Sequence, residues 1–239
     1  MEFNVYAKNG SVSSRAVSVK KLCLGRSCSR DIEATRKRLD EKRAEGYAVY
    51  SNPNICRKSR YLLTNEDVIE VQGLKVAGEV ELVTIVNKGE VLISVGSDNN
   101  DTTLLHMWTE ALGKIYDTAK SKQMAPAVVA KDAWWYEDVK DHWDRLNLRS
   151  YVTLSGERIP FQNFTLSELV DLKYHFRTNP WLREDGVVLF SGSRPRLPTV
   201  PPNVYKEYWP PDFHFEVHDP VLNRAISHLY RVQYVEEQH

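Results

Sequence analysis

The alternation of apolar and polar residues along this chain predicts a protein built mainly from short strands. The clearest stretch covers residues 67–98, where β-branched residues recur and Gly73, Gly78, Gly89 and Gly96 separate the runs. This pattern is typical of consecutive strands joined by tight turns. Shorter runs of the same kind predict further strands at Phe3–Tyr6, Ala16–Leu22, Val187–Phe190, Phe213–Val217 and Ala225–Val232.

Helical spacing of apolar residues and favourable capping residues predict four helices. The predicted first residues or caps are Ser29, Asp101, Trp134 and Thr165. The first helix is expected to stop at Gly46, because glycine tolerates the left-handed conformation that ends many helices. Residues 47–65 follow neither period and are interpreted as a loop or lid. Strands outnumber helices, so the predicted fold class is α+β, predominantly β.

A hairpin register brings three acidic residues together. If Lys88 and Gly89 form a two-residue turn, counting outward along both strands places Glu79 opposite Asp98. Glu81 lies two residues from Glu79 and therefore shares its face of the sheet. The spacing alone thus predicts three carboxylates at one end of the hairpin.

The surroundings of these acids make their charge costly. Both faces of the hairpin are mainly apolar, which predicts burial on both sides, and Gly96 opposite Glu81 is expected to leave room beside the carboxylates. Burial and the neighbouring negative charges disfavour ionisation of these carboxylates, at a cost on the order of several kcal/mol. Protonation or pairing with lysine or arginine would relieve this cost, and so would a hard cation such as Mg²⁺, Mn²⁺ or Ca²⁺. A strand end open to water is the remaining alternative.

Composition narrows the class of protein. The 239 residues hold 32 Lys plus Arg against 32 Asp plus Glu, so the net charge gives no reason to expect a nucleic-acid partner. Cys23, Cys28 and Cys56 are an odd number and match no paired disulfide framework. No stretch approaches the roughly 20 apolar residues of a membrane span. We therefore expect a soluble, cytoplasmic protein with no membrane partner.

Short motifs around the acids, in a particular order, resemble the fumarylacetoacetate hydrolase (FAH) family, and more closely its DUF2848 branch. The resemblance extends over most of the chain after Gly78. The motifs that carry it are Gly78–Glu81, Gly96–Asp101, Ser121–Pro126, Val188–Ser193 and Asp219–Tyr230.

The resemblance implies a fold and a metal site. The fold would be an FAH-like mixed β-roll with a small N-terminal α/β region, with residues 1–72 holding short strands, a helix and the lid, and residues 73–239 the catalytic domain. Glu79, Glu81 and Asp98 would be the metal ligands. The ion would be Mg²⁺ or Mn²⁺, with Ca²⁺ as the alternative.

The resemblance also implies residues that contact the substrate. Lys122 would be the catalytic cation, and Gly192 with Ser193 would form a turn against the substrate. Separately from the resemblance, basic residues of the lid and of that turn could bind a substrate carboxylate, with solvated surface charge as the alternative. They are Arg57, Lys58 and Arg60 in the lid, and Arg194 and Arg196 beside the turn, of which Arg57 and Arg194 are the predicted contacts. The implied substrate is a small oxo acid or β-dicarbonyl compound, the implied reaction is carbon–carbon bond cleavage by a hydrolase or decarboxylase, and the implied assembly is a homodimer.

The chain departs from the family in its histidines. The resemblance implies a His and Glu pair upstream of the acids to activate water, but the first histidine in the chain is His106. Asn99 also stands where the branch tends to have histidine. Either a later histidine serves as the base, or the reaction needs no activated water. Tautomerisation or dehydration on the same metal site, and a catalytically silent ligand-binding or scaffold protein, therefore remain open as alternatives.

Overall fold

The computed structural model describes residues 1–46, 49, 53–73, 75–104 and 118–235. Its strands are β1 (Glu2–Tyr6), β2 (Val12–Ala16), β3 (Lys21–Arg26), β4 (Asn54–Lys58), β5 (Leu63–Thr64), β6 (Val68–Val71), β7 (Val76–Ala77), β8 (Val80–Asn87), β9 (Glu90–Ser97), β10 (Asn100–Asp101), β11 (Ala127–Val129), β12 (Asp132–Trp135), β13 (Asn147–Leu154), β14 (Glu157–Thr165), β15 (Val187–Phe190), β16 (Asp212–Asp219) and β17 (Arg224–Tyr234). The α-helices are α1 (Ile32–Ala44), α2 (Thr118–Lys122), α3 (Tyr136–Val139) and α4 (Leu172–Thr178). Short 3₁₀ helices cover Arg60–Leu62, Lys140–Arg145, Leu166–Glu168 and Pro180–Arg183.

Two sheets carry the fold. The larger sheet has ten strands in the order β2-β1-β12-β9-β8-β15-β3-β4, with β11 and β5 attached through β9. The sheet contains parallel pairs such as β15–β3 and antiparallel pairs such as β8–β9, so it is mixed. The smaller sheet has five strands in the order β14-β13-β16-β17-β6, and β10 and β7 form a separate two-stranded ribbon.

The β8–β9 hairpin is buried on both faces, as its apolar pattern predicts. One face joins a core shared with the five-stranded sheet, through contacts that include Leu82 and Phe215. The other face joins a second core, which includes Val83, Leu92 and Phe190. Strands on opposite sides of the hairpin in the large sheet, such as β1 and β3, place side chains in this second core. The sheet therefore curls around it. The predicted predominantly β roll is confirmed.

The N-terminal strands belong to the same body. β1, β3 and β4 lie in the ten-stranded sheet with β8 and β9, and Phe3, Leu22 and Leu24 pack in the second core. The boundary predicted at residue 72 therefore does not separate two hydrophobic cores.

The structure corrects several predicted elements in the first half of the chain. The N-cap of α1 is Asp31, whose side chain accepts a hydrogen bond from the Ala34 amide, and not Ser29. Gly46 ends the helix with a φ of 89°, as predicted. The single strand predicted over Ala16–Leu22 is wrong, because β2 ends at Ala16 and β3 begins at Lys21.

Two further predicted elements need correction, and a third lies mostly outside the described residues. The predicted loop over residues 47–65 contains β4 and β5. The helix predicted over 134–146 is instead the end of β12 followed by α3 and a 3₁₀ helix. Asp101 caps helical residues 102–104 by accepting from the Leu104 amide, and the rest of that predicted helix lies outside the described residues.

The capping box at Thr165 is present, but it opens a 3₁₀ helix, Leu166–Glu168, in place of a long α-helix. α4 begins separately, capped by Asp171. None of the helices in the described ranges is long and apolar enough to cross a membrane.

Candidate active site

The predicted hairpin register is confirmed, and it places Glu79 beside Asp98. Lys88 and Gly89 form the turn with φ values of 52° and 82°, the left-handed conformations of a type I′ hairpin. Glu81 pairs with Gly96, and the Asp98 amide donates to the Glu79 carbonyl oxygen at 3.2 Å. The ladder thus continues just beyond both strands and holds the two acidic residues opposite each other.

Asp98 is fully buried between two lysines. Lys58 Nζ lies 3.3 Å from Asp98 Oδ1, and Lys122 Nζ donates to the other oxygen, Oδ2. Lys122 Nζ also lies 3.9 Å from Glu79 Oε2, so its ammonium group bridges two of the three predicted acids. The sequence left open whether lysine, arginine, protonation or a cation offsets the charge of the acids. For Asp98, the structure shows pairing with lysine.

Each lysine is delivered by a different segment. Lys122 is the last residue of α2, and the chain then enters β11, which pairs with β9 next to Asp98. Lys58 is the last residue of β4, at the edge of the same large sheet. Because α2 and β4 approach the end of β9 independently, the pairing of both lysines with one carboxylate depends on the tertiary fold.

The sequence predicted Lys58 only as one of three basic lid residues, with Arg57 and Arg60, and did not predict that Lys58 pairs with Asp98. Successive residues of a strand point to opposite faces, so the inward side chain of Lys58 turns Arg57 the other way. Lys58 is buried, whereas Arg57 is exposed and pairs with Cys23 of β3. Arg57 is therefore not placed to bind a substrate at the acids. Recognition of β4 as a strand would have revealed which of the two residues points inward.

Glu81 is held by the glycine turn that the resemblance implied. The Gly192 amide donates to Glu81 Oε2 at 2.7 Å, and the Glu81 residue is 1% exposed. Gly192 has a φ of 83°, and a Cβ there would lie 3.1 Å from the Gly25 carbonyl oxygen and 3.2 Å from Cys28 Cβ. Only glycine fits this turn without strain, so the turn fixes the amide against the carboxylate.

The neighbours of Gly192 are occupied by protein contacts. Ser193 Oγ donates to the Val80 carbonyl oxygen at 2.8 Å and accepts from Gln162 at 2.9 Å. Arg194 forms an ion pair with Glu168 at 3.1 Å and a hydrogen bond to Ser29 at 3.3 Å. Ser193 therefore holds the turn in place, and the Arg194 side chain does not point toward the acids.

The acids differ in their electrostatic environment. Burial alone would raise the pKa of Asp98, but the charges of Lys122 and Lys58 outweigh it and lower that pKa. Burial, reinforced by the charge of Asp98, raises the pKa of Glu81 well above its usual value. Burial also raises the pKa of Glu79, although 46% of its side chain stays exposed, so it loses less hydration than Glu81.

The lysines also differ. Desolvation lowers the pKa of Lys58 despite its contact with Asp98. Desolvation acts in the same direction on Lys122, but the charges of Asp98, Glu79 and Glu81 outweigh it and raise the pKa of Lys122. Lys122 is therefore a charged hydrogen-bond donor at neutral pH and not a base.

When all five groups are ionised, three carboxylates and two ammonium groups leave one negative charge in excess. Glu81 carries most of this imbalance, because it forms no ion pair within 4 Å among the described residues and accepts its hydrogen bond from the neutral amide of Gly192. Oxygen donors with surplus negative charge suit a hard divalent cation. The donor chemistry of Glu79, Glu81 and Asp98 therefore fits such an ion.

The present arrangement nevertheless does not form a metal cage. In the described part of the chain, no three His, Cys, Asp or Glu side chains are grouped to hold an ion. The expected space beside Gly96 is also filled, because a Cβ there would lie 2.5 Å from the Val128 carbonyl oxygen and 2.7 Å from the Phe190 ring. Gly96 thus permits close packing and does not leave room for an ion. Asp98 can join Glu79 and Glu81 as a ligand only if Lys122 gives up an Asp98 oxygen.

The histidines of the described residues lie elsewhere. His142 Nε2 is 2.9 Å from the buried carboxylate of Asp219, and His175 is 2% exposed without a hydrogen-bond partner on either ring nitrogen. No ion pair or hydrogen bond joins a histidine to the acids or lysines of the site within the ranges described. His106 lies outside those ranges. Two surface grooves, of about 400 and 550 Å³, lie beside Tyr136 and Lys140, away from the carboxylates.

Solved structures with this fold define its class. A protein from Yersinia pestis, proposed to belong to the FAH family, is 11% identical with a TM-score of 0.60, over 97% of this chain and 100% of that one. A Burkholderia cenocepacia protein, proposed to be a fumarylpyruvate hydrolase, is 13% identical with a TM-score of 0.57, over 98% and 96%. A 2-keto-3-deoxy-D-arabinonate dehydratase is 11% identical with a TM-score of 0.58, over 95% and 77%. The chain therefore has the FAH fold.

A family model assigns the chain to one family within the class of proteins with this fold. The model of DUF2848, a protein family of unknown function, matches residues 28–230. The chain belongs to the DUF2848 family. No curated protein matches the sequence.

Proposed function

We propose that this protein is a divalent-metal-dependent enzyme that cleaves a carbon–carbon bond of a small oxo acid or β-dicarbonyl compound. The observation that carries the proposal is the buried pair of Glu81 and Asp98, with Glu79 beside them and Lys122 between two of the acids. The FAH fold supports an enzyme of this general class, since its relatives include proteins named as hydrolase, dehydratase and isomerase.

Each side chain has a distinct role in this proposal. Glu79, Glu81 and Asp98 would hold Mg²⁺ or Mn²⁺, which polarises the substrate oxygens it binds. Gly192 keeps Glu81 in position by its amide hydrogen bond. Lys122, which remains charged, donates a hydrogen bond from Nζ to the oxygen that becomes negative when the bond breaks. The ammonium of Lys58 balances Asp98 and adds positive potential for an anionic substrate.

The reaction is hydrolytic or decarboxylating, and one observation favours the second. In the described residues, no histidine contacts the acids, so the site offers no evident base to activate water. Loss of CO₂ needs no activated water: the electron pair of the broken bond would pass to an enolate that Lys122 would stabilise beside a bound ion, and a proton from solvent would complete the product. Tautomerisation or dehydration at the same site also needs no activated water, and a silent ligand-binding relative is the alternative outcome. A homodimeric, cytoplasmic enzyme stays part of the proposal.

The test is a substrate assay with matched variants. Oxaloacetate and acetylpyruvate are supplied with Mg²⁺ or Mn²⁺, and CO₂ release is compared with acid release. We expect Lys122→Met and Glu81→Gln each to lower kcat/KM by roughly 100-fold or more, and Arg57→Ala, on the opposite face of β4, to leave it unchanged. CO₂ and pyruvate from oxaloacetate would identify a decarboxylase, whereas acetate and pyruvate from acetylpyruvate would identify a hydrolase. Turnover that persists in both site variants or without metal would refute the proposal, and absence of any turnover would favour the silent relative.

A further inference from the structure

A buried polar network lies directly behind Asp98 and has no part in the roles given above. Tyr230 Oη donates to Asn99 Oδ1 at 2.6 Å and lies 3.1 Å from Ser97 Oγ. Ser97 and Asn99 are fully buried, and Tyr230 is 1% exposed. The network therefore joins both neighbours of Asp98 to β17 of the other sheet.

Asn99 connects this network to the segments that carry both lysines. Its Nδ2 donates to the Pro126 carbonyl oxygen at 2.8 Å, in the segment that follows Lys122. Its own carbonyl oxygen accepts from Lys58 Nζ at 3.4 Å. One residue thus contacts Lys58, the chain after Lys122 and the sheet behind Asp98.

The hydroxyl groups also support the strand that carries Glu79. A Cβ on Gly78 would lie 2.7 Å from Tyr230 Oη and 2.8 Å from Ser97 Oγ. Both hydroxyls therefore press against the backbone just before Glu79. A shift of the network would move Glu79 and Asp98 together.

The hydrogen bonds require an amide at position 99. Oδ1 accepts from Tyr230 and, at 3.3 Å, from Ser97, while Nδ2 donates to Pro126. A carboxylate could accept the two hydroxyl bonds but could not donate to the carbonyl. Asn99→Asp therefore breaks one defined contact at nearly constant volume.

We infer that Asn99 and Tyr230 are positioning residues, which fix the backbone and orientation of Asp98 beside Lys58 so that its carboxylate can serve as a metal ligand when Lys122 releases it. This inference rests on the proposed function for the role of Asp98. Groups behind a ligand that fix its orientation typically change metal affinity or activity by 10–100-fold when they are replaced.

The experiment compares Tyr230→Phe and Asn99→Asp with Tyr208→Phe. The control removes the bond from Tyr208 to the Thr153 carbonyl oxygen, 3.0 Å long, and leaves the network intact. Mn²⁺ affinity is measured by electron paramagnetic resonance. Accessibility of Lys58 and Lys122 is measured by reductive methylation and mass spectrometry, which requires neither metal nor substrate.

We expect both network variants to weaken Mn²⁺ binding roughly tenfold and to speed methylation of Lys58, while Tyr208→Phe behaves like the wild type in both assays. If Mn²⁺ does not bind the wild type, the proposed function fails, and the methylation rates still decide whether the network positions the lysines. The inference would be overturned if both network variants had the same methylation rates as Tyr208→Phe and, where the wild type binds Mn²⁺, the same Mn²⁺ affinity.

Discussion

At the scale of the residue, the two buried acids of the site differ in how their negative charge is compensated. Asp98 has two cationic partners, whereas Glu81 is equally buried and has only a neutral amide. A buried charge without a counter-charge destabilises the folded state. Glu81 is therefore the acidic residue of the site whose burial is hardest to explain by stability alone, and this favours a role in binding a cation.

Replacing Glu81 should stabilise the metal-free protein. The pKa of Glu81 is raised by folding, so the ionised form costs stability as the pH rises above the normal value of 4.5. Glu81→Gln keeps an oxygen for the Gly192 amide and removes that cost. With a chelator present, we expect a gain of about 2 kcal/mol at pH 8 and almost none at pH 4, measured by urea unfolding. The same change at Glu79, which is 46% exposed, should gain less; equal gains would contradict this account.

His175 should give the folded protein a second pH dependence. Burial lowers its pKa from 6.5 to about 4, and neither ring nitrogen has a hydrogen-bond partner in the described residues. Between these values only the unfolded chain binds the proton, so stability falls as the pH drops through this window, by about 1.4 kcal/mol per pH unit. We expect His175→Leu to remove that slope in unfolding measurements. A slope that is unchanged in His175→Leu would show that other groups cause it.

At the scale of the element, the β8–β9 hairpin is the part of the site that the sequence predicted best. Its register follows from the Lys88-Gly89 turn and the alternation of the strands, both of which are local. β13 and β14 were missed, although Ser155 and Gly156 form a similar turn with φ values of 52° and 84°. Polar residues at several positions weaken the period in those strands, so tertiary packing decides the structure there.

The hairpin turn gives a paired prediction. Gly89 has a φ of 82°, so Gly89→Ala should destabilise the protein by about 1 kcal/mol. Lys88 has a φ of 52°, which asparagine adopts more readily, so Lys88→Asn should stabilise it by about 0.5 kcal/mol. Thermal unfolding would measure both. Destabilisation by Lys88→Asn as large as that by Gly89→Ala would show that the turn conformation does not control the stability of the hairpin.

At the scale of the whole molecule, the site is assembled from distant parts of the chain. Asn99 and Tyr230 are 131 positions apart, and Lys58 lies 40 positions before Asp98. No local pattern reveals such contacts, which explains why the pairing of Lys58 with Asp98 was not predicted and why Arg57 and Arg194 were chosen as substrate contacts. The fold class and the acids followed from periodicity, turn chemistry and family resemblance, whereas the partners of the acids depend on how the large sheet curls.

The contacts of Lys122 with the acids should change when a metal ion binds. Lys122 now contacts both Asp98 and Glu79, where a shared cation would compete with it. A divalent ion would turn the single excess negative charge of the cluster into a single positive charge, which suits an anionic oxo acid. Metal and lysine should therefore exchange contacts with Asp98, while Gly192 keeps Glu81 in place.

The most direct test is a crystal structure of the protein with Mn²⁺ and oxalate, with anomalous scattering used to locate the metal. We expect one anomalous peak coordinated by Glu79, Glu81 and Asp98, with oxalate on the ion and Lys122 moved off the metal-facing oxygen of Asp98. Absence of a peak at saturating Mn²⁺, with both lysines still paired to Asp98, would contradict it.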